Sequence, residues 1–241
     1  MVQESPASRR RARRVEEILE AAMRIVAADG LEAMTVAKVA SAADYTPGAL
    51  YRYFKSKDAL VAELNRRVLL DHQALLERTM LLAADRASER AIDAPWLTIM
   101  PVVCGSAAFR AAARTRPTEF ILISTTMGIG RQLVPNPEEA THVPVLNAIL
   151  ENIGTRVQAA TEAGLFHEGP TRDRAMALFF GLLGTLQTHK LERFDSSLSA
   201  DRLAYLLTTD VLTGWGAPRA DVEACQSLVD SIINDALGAD E

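Results

Sequence analysis

Between positions 51 and 57 the chain sets Tyr51, Arg52, Tyr53, Lys55 and Lys57 almost side by side. Phenol, guanidinium and ammonium groups so clustered are hydrogen-bond donors for phosphate oxygens and base edges. Thr46, Pro47, Gly48 and Ala49 stand just before them, and the small Gly48 and Ala49 let a partner approach the backbone. Nothing comparable points to bond-making chemistry. There is no GxSxG, Walker A or HExxH motif, and the GxG in "MGIGR" at 127–131 lacks a preceding strand. His72, His142, His167 and His189 are widely spaced, with no metal-ligand pairing. No catalytic residue, metal or cofactor is expected, and the protein does not read as an enzyme.

The basic cluster sits in an acidic chain. The 241 residues hold 26 Lys/Arg against 31 Asp/Glu, for a net charge of −5. The imbalance is uneven: residues 1–58 hold ten basic and eight acidic side chains, so the remainder carries the negative charge. A small basic head on an acidic body is the implied organisation. Cys104 and Cys225 form no CxxC pair and no disulfide framework, which fits a reducing interior. No signal-peptide core follows the N-terminal arginines, and no run of about 18 uncharged apolar residues would span a membrane. A cytoplasmic protein without a membrane partner is expected.

The elements that must position the cluster are helices, since β-branched alternating runs are almost absent. Val15, Ile18, Leu19, Ala22, Ile25 and Val26 form an apolar stripe over about Ala12 to Ala28, and Asp29-Gly30 ends it. Thr35 reads as an N-cap for a short helix to about Ala42, with Met34 and Val39 at staple spacing. Thr46 caps a third helix whose first residue is Pro47, where the missing N–H costs nothing. Ser56 caps a fourth, running to about Ala83. Further helices are expected near 93–113, 117–131, 143–163, 171–193, 200–213 and 218–237. Loops fall at 132–142 and 163–170.

A helix, a short helix, a tight turn and a second short helix within about 45 residues describe a helix-turn-helix. Thr35, Val39-Ala40, Ala43, Thr46, Gly48, Leu50-Tyr51, Tyr53-Phe54, Lys57 and Leu60 resemble, in register, the TetR family of bacterial transcriptional regulators. The resemblance covers about residues 12–62 at motif level, and beyond it only length, helical content and element order agree. It implies that Tyr51 and Tyr53 reach the DNA backbone or groove edge through their hydroxyls. The turn departs from the family's usual Gly-Val: here it is Asp44-Tyr45, which asks Asp44 to adopt the left-handed conformation.

Physical reasoning assigns roles beside this. The first turn of the third helix offers Thr46, Pro47, Gly48 and Ala49 to a major groove, with Arg52 in reach of a guanine edge or phosphate. Lys57 adds its charge to helix-terminal N–H groups, which suits a phosphate, and Thr35 is placed to do the same at the other flank. Arg9, Arg10 and Arg11 belong to a flexible arm over 1–11 that either enters the adjacent minor groove or serves as a solubilising tail. The helix-turn-helix domain then spans 12–56, and a ligand-binding and dimerisation domain spans 57–241.

A head of this size reads a short half-site, so a homodimer on a palindromic operator is expected. Phe179, Leu182, Leu183, Leu186, Leu203, Leu207 and Val211 are the candidate dimer contacts, on two helices that the resemblance pairs into a four-helix bundle. Trp96, Met100, Cys104, Phe120, Ile123, Met127 and Asn147 are candidates for an apolar effector cavity with few polar anchors. The reading is an all-α, homodimeric, DNA-binding repressor relieved by a small lipophilic effector. An activator or partner-controlled regulator of the same fold is the alternative, followed by an all-helical ligand-binding protein or enzyme.

Overall fold

The computed structural model describes residues 5–89, 94–127, 143–192, 194–195 and 197–238. Among them every regular element is helical. In chain order the helices are α1 Pro6–Asp29, α2 Val36–Ala42, α3 Pro47–Leu50, α4 Lys57–Glu89, α5 Met100–Thr115, α6 Pro117–Met127, α7 Val143–Glu162, α8 Thr171–Leu186, α9 Ala200–Gly214 and α10 Arg219–Gly238. Short 3-10 turns at Pro95–Thr98 and Gln187–Leu191 occupy stretches expected to be helix. The chain forms two compact units: one from residues 1–69 and 118–144, the other from 70–117 and 145–241.

The first unit is built on α1. Its stripe buries Ile18, Leu19, Ala22 and Val26 with Met34, Val39, Ala40, Leu50 and Phe54 from the following helices, and Leu60, Leu64 and Val68 from the start of α4. The helix begins at Pro6, not near Ala12, so the described part of the arginine arm is helical. Ser5 caps it, accepting from the Ser8 N–H at 3.1 Å, with Pro6 in the first helical position. A capping serine, a first-position proline and an Ala/Arg run agree locally, and that agreement outweighs the charge of the segment. The unit also reaches to Leu69, beyond the boundary expected at residue 56, because Leu60, Leu64 and Val68 face its core.

The second unit packs α5 against α9 and α10, and α8 against α9. Arg110 of α5 is only 6 % exposed. Its Nε and Nη2 donate to Asp201 of α9 at 3.1 and 2.9 Å, and Nη1 and Nη2 donate to Asp230 of α10 at 3.2 Å. The Tyr205 ring lies 5.1 Å from its guanidinium carbon. Burial pushes the Asp230 carboxyl up, and Arg110 pulls against that. Gln226 of α10 donates to Thr209 of α9 at 2.7 Å, satisfying a second buried polar pair. The 163–170 loop closes on the end of α9: Phe166 meets Trp215 edge-on at 5.5 Å, and the His167 N–H donates to the Trp215 carbonyl at 2.6 Å.

His72 also belongs to this unit. Its ring stands edge-on to Phe109 at 5.1 Å, and burial, assisted by Arg116, lowers its pKa from 6.5 to about 4. Below pH 6.5 the unfolded chain therefore takes up a proton that the folded chain refuses, so stability falls as pH drops towards 4. This component should amount to about 2 kcal/mol at pH 5, from the proton linkage of the shifted pKa. Urea unfolding at pH 7.5 and 5.0 should show that much less acid sensitivity in His72→Phe than in the wild-type chain. Arg110→Met leaves Asp201 and Asp230 without their shared cation and should cost about 3 kcal/mol, towards the low end for broken buried pairs because Asp201 is 40 % exposed. Unfolding at pH 7.5 measures it.

Candidate nucleic-acid interface

The helix-turn-helix is set by caps and one strained turn. Thr35 Oγ1 accepts from the Lys38 N–H at 3.2 Å and starts α2. At its end Asp44 takes φ 58°, the only positive value outside glycine among the described residues. That lets the Tyr45 N–H turn back to the Ala40 carbonyl at 2.8 Å. Asp enters the left-handed region more readily than most residues because its short polar side chain can hydrogen-bond to nearby backbone, so the turn survives without glycine. Thr46 then caps α3, accepting from the Ala49 N–H at 3.2 Å, with Pro47 next. α3 is a single turn, continued by a non-helical turn in which the Tyr53 and Phe54 N–H groups donate to the Leu50 carbonyl at 2.8 and 3.0 Å. Ser56 caps α4 through the Ala59 N–H at 2.9 Å.

Leu50 and Phe54 face the core, which leaves Thr46, Pro47, Gly48, Tyr51 and Arg52 exposed and Ala49 half-exposed. Tyr51 is 51 % exposed, an unusual position for a phenol with no partner role in folding. No atom beyond the immediate chain lies within 4 Å of where a Cβ on Gly48 would stand, so the first turn of α3 presents bare backbone. Thr35 is exposed at the start of α2.

Tyr53 and Lys57 are placed differently. Tyr53 is half-buried, with Tyr45 edge-on at 6.1 Å. Arg14 Nη1 donates to its hydroxyl at 3.3 Å, and the Arg11 guanidinium lies 5.4 Å from its ring centre. The first turns of α1 thus bring two arginines to the basic cluster, and Tyr45 spends its extra bulk on Tyr53. Arg9 and Arg10 are exposed on the same turns, and Arg10 Nε donates to the Pro6 carbonyl at 3.3 Å. Lys57 Nζ donates to the Leu31 and Glu32 carbonyls at 3.2 and 3.4 Å, so its ammonium closes the α1–α2 connection, a task the sequence reading did not assign it. One of its three N–H donors is left over. Arg14 was missed altogether. Its spacing of three from Arg11, which places both on one face of a helix, was the available signal, but it required knowing that the arm is helical.

The other candidates divide. Phe179, Leu182, Leu183 and Leu186 are buried in the second unit's own core, so they shape a face without presenting it. Leu203, Leu207 and Val211 are half-exposed, and Met176 and Leu206 on the same two helices are exposed. Gly181 serves packing inside the chain, since a Cβ there would stand 3.0 Å from Leu207. Met100 and Cys104, one turn apart on α5, are both buried, and burial pushes the Cys104 thiol up to about 12. Both cysteines are free. Trp96 is half-buried, and Asn147 accepts from Arg172 at 2.8 Å. Phe120 and Ile123 are buried but belong to residues grouped with the first unit. The Met127 side chain lies outside the described residues. No helix among the described residues is long and apolar enough to cross a membrane.

Comparison with known proteins agrees with this geometry. Residues 18–64 match the family model of the bacterial regulatory proteins, tetR family. An uncharacterized HTH-type transcriptional regulator of Haemophilus influenzae is 36 % identical over 63 residues, which is 26 % of this chain, and the chain spans only 34 % of that relative's length. Among solved structures, SmeT, the repressor of the Stenotrophomonas maltophilia multidrug efflux pump SmeDEF, aligns with a TM-score of 0.59 at 20 % identity over 83 % of this chain and 89 % of its own. RolR in complex with resorcinol aligns at 0.62 and 15 % identity over 91 % and 95 %. FadR of Bacillus halodurans, a fatty acid degradation regulator, aligns at 0.59 and 18 % over 83 % and 98 %. At such identities these structures speak for the fold alone, over 83–91 % of the chain, while the residues matched by the family model are those of the head with its capped turns and exposed α3. The head formed by residues 18–64 is thus similar to the bacterial regulatory proteins, tetR family, and the fold is shared with these solved structures.

Proposed function

We propose that the protein is a homodimeric repressor that holds a palindromic operator through two copies of α3 and releases it when a small lipophilic ligand binds the second unit. The observation that carries this reading is the exposed stretch Thr46–Arg52, held by caps and bare at Gly48, within the segment that matches the family. In this reading Thr46, Pro47, Gly48, Ala49 and Arg52 face base edges, and Tyr51, Tyr53, Thr35 and the α1 arginines face phosphates. Lys57 contributes through the shape of the α1–α2 connection more than through its charge.

The recognition helices of a two-fold dimer would stand about 34–36 Å apart, one turn of DNA. Met176, Phe180, Leu203 and Leu206 supply an apolar face on α8 and α9 for the second protomer, with Leu207 and Val211 at its edge. α4 is uninterrupted from Lys57 to Glu89, and a ligand that favours one setting of it changes the spacing of the heads. SmeT has been solved with triclosan and RolR with resorcinol, which supports a small-molecule effector on this fold.

Selection from random duplex DNA, followed by gel shifts, should enrich a palindrome, and binding without sequence preference would refute the repressor reading. On the selected operator, Arg52→Ala should lose about 1–3 kcal/mol with relaxed base preference, and Tyr51→Phe about 1 kcal/mol. Both variants should melt like the wild-type chain, whereas Lys57→Met should melt lower because it frees two carbonyls. For the dimer, Leu206→Glu puts a charge on a side chain that is 44 % exposed in the protomer. Sedimentation analysis should find it monomeric with unchanged helicity, and a wild-type-like dimer would move the interface elsewhere.

A further inference from the structure

Arg110 is buried in the second unit and Arg156 is half-buried there, and the two are treated in opposite ways. Arg110 meets two carboxylates, while Arg156 of α7 meets none. Among the described residues no carboxylate stands within ion-pair distance of Arg156, and no acceptor takes its hydrogen bonds. Its Nη1 runs beside α5, 3.9 Å from where a Cβ on Gly105 would be, and the buried Cys104 is the neighbouring residue. Glu77 is the acid that acts on it, but from outside ion-pair reach, and that carboxylate is exposed and accepts from the Gln73 amide at 2.9 Å. Burial lowers the Arg156 pKa, as expected of a cation taken from water without a counter-charge.

A second unsatisfied group flanks the same face of α5. Gly105 and Phe109 are four residues apart, which is about 6 Å along a helix. Phe109 carries His72 edge-on, and the Nδ1 of His72 is buried with no hydrogen-bond partner. Phe179 lies tilted against Phe109 at 5.7 Å, and Phe180 meets Phe179 edge-on at 5.2 Å. A half-buried cation with no ion pair among the described residues, an unpartnered imidazole nitrogen and an aromatic cluster thus lie along about one turn of α5. Each polar group costs folding free energy as it stands, and a ligand that satisfied them would offset that cost.

We propose that Arg156 is the anion anchor of the effector site, and that the effector is a lipophilic monocarboxylate whose apolar body lies along the Phe109 face, with His72 Nδ1 as a second polar contact. The guanidinium fork matches a carboxylate in two parallel hydrogen bonds. One uncompensated positive charge beside a neutral imidazole calls for a single negative charge; a dianion would bring an excess charge into the interior. The proposal rests on the reading of the second unit as the effector-binding part and gives that effector a chemical class.

The test sets octanoate, decanoate, benzoate and naphthoate beside the alcohols of the same skeletons. Binding is read by calorimetry on the full chain, with Arg156→Gln and Arg156→Lys as variants. At least one carboxylate should bind about tenfold or more tightly than its alcohol, a margin that vanishes in Arg156→Gln and partly returns in Arg156→Lys. Ligand-free Arg156→Gln should melt at or above the wild-type temperature, since it removes a half-buried charge that has no ion pair among the described residues. The proposal is overturned if no carboxylate binds, if carboxylate and alcohol bind alike, if Arg156→Gln binds as the wild type does, or if the ligand-free variant melts several degrees lower or fails to fold. Operator binding, measured in parallel, separates this proposal from the repressor reading. Arg156-dependent carboxylate binding that leaves operator affinity unchanged keeps the anchor and removes ligand relief. Operator release by the alcohols alone, in wild type and variant equally, keeps ligand relief and removes the anchor.

Discussion

A helix of four residues has no stability of its own in water, and one of seven has little. α3 and α2 exist because the stripe on α1 gives Leu50, Val39 and Ala40 a surface to be buried against, and because each is capped at its first turn. The exposed chemistry of Thr46 to Arg52 is therefore borrowed from a hydrophobic contact on its opposite side. Loosening Ile18 or Leu19 would disperse groups that neither residue touches, since caps alone contribute about 1 kcal/mol each and cannot hold a single helical turn. The polar surface can stay free for a partner because almost none of it is needed to hold the head together.

The parts of the head that local chemistry dictates were legible in the sequence. Thr35, Thr46 and Ser56 cap where their types and spacing predict, and Asp44 adopts the conformation that its place in the turn demands. Of the long helices, α7, α9 and α10 fall within a residue of their expected ranges, while α1 starts six residues earlier and α4 ends six residues later than expected. Within the stretches expected to be helix, Pro95–Thr98 and Gln187–Leu191 form 3-10 turns instead, the second after the buried Leu186. The helical start of α1 was hidden by its composition, since an arginine run suggests disorder until Ser5-Pro6 is read as a cap.

Long-range partners were not legible. Nothing in spacing tells Lys57 to find the Leu31 and Glu32 carbonyls, or Arg14 to find Tyr53. Periodicity likewise marks which residues of α8 and α9 are apolar, but not which apolar side faces inward. In the protomer Phe179, Leu182, Leu183 and Leu186 turn inward, while Met176 and Leu206 on the same helices are exposed. Two arginines make the same point in charge: Arg110 and Arg156 are equals in sequence, and only the fold buries the first and gives it Asp201 and Asp230.

The Lys57 ammonium has a mechanical side. It sits on the first residue of α4 and is tied to two successive carbonyls between α1 and α2. The first turn of that helix cannot pivot away from the head without stretching both ties. The start of α4 is thus fastened, within the first unit, to the chain that joins the first two helices of the head.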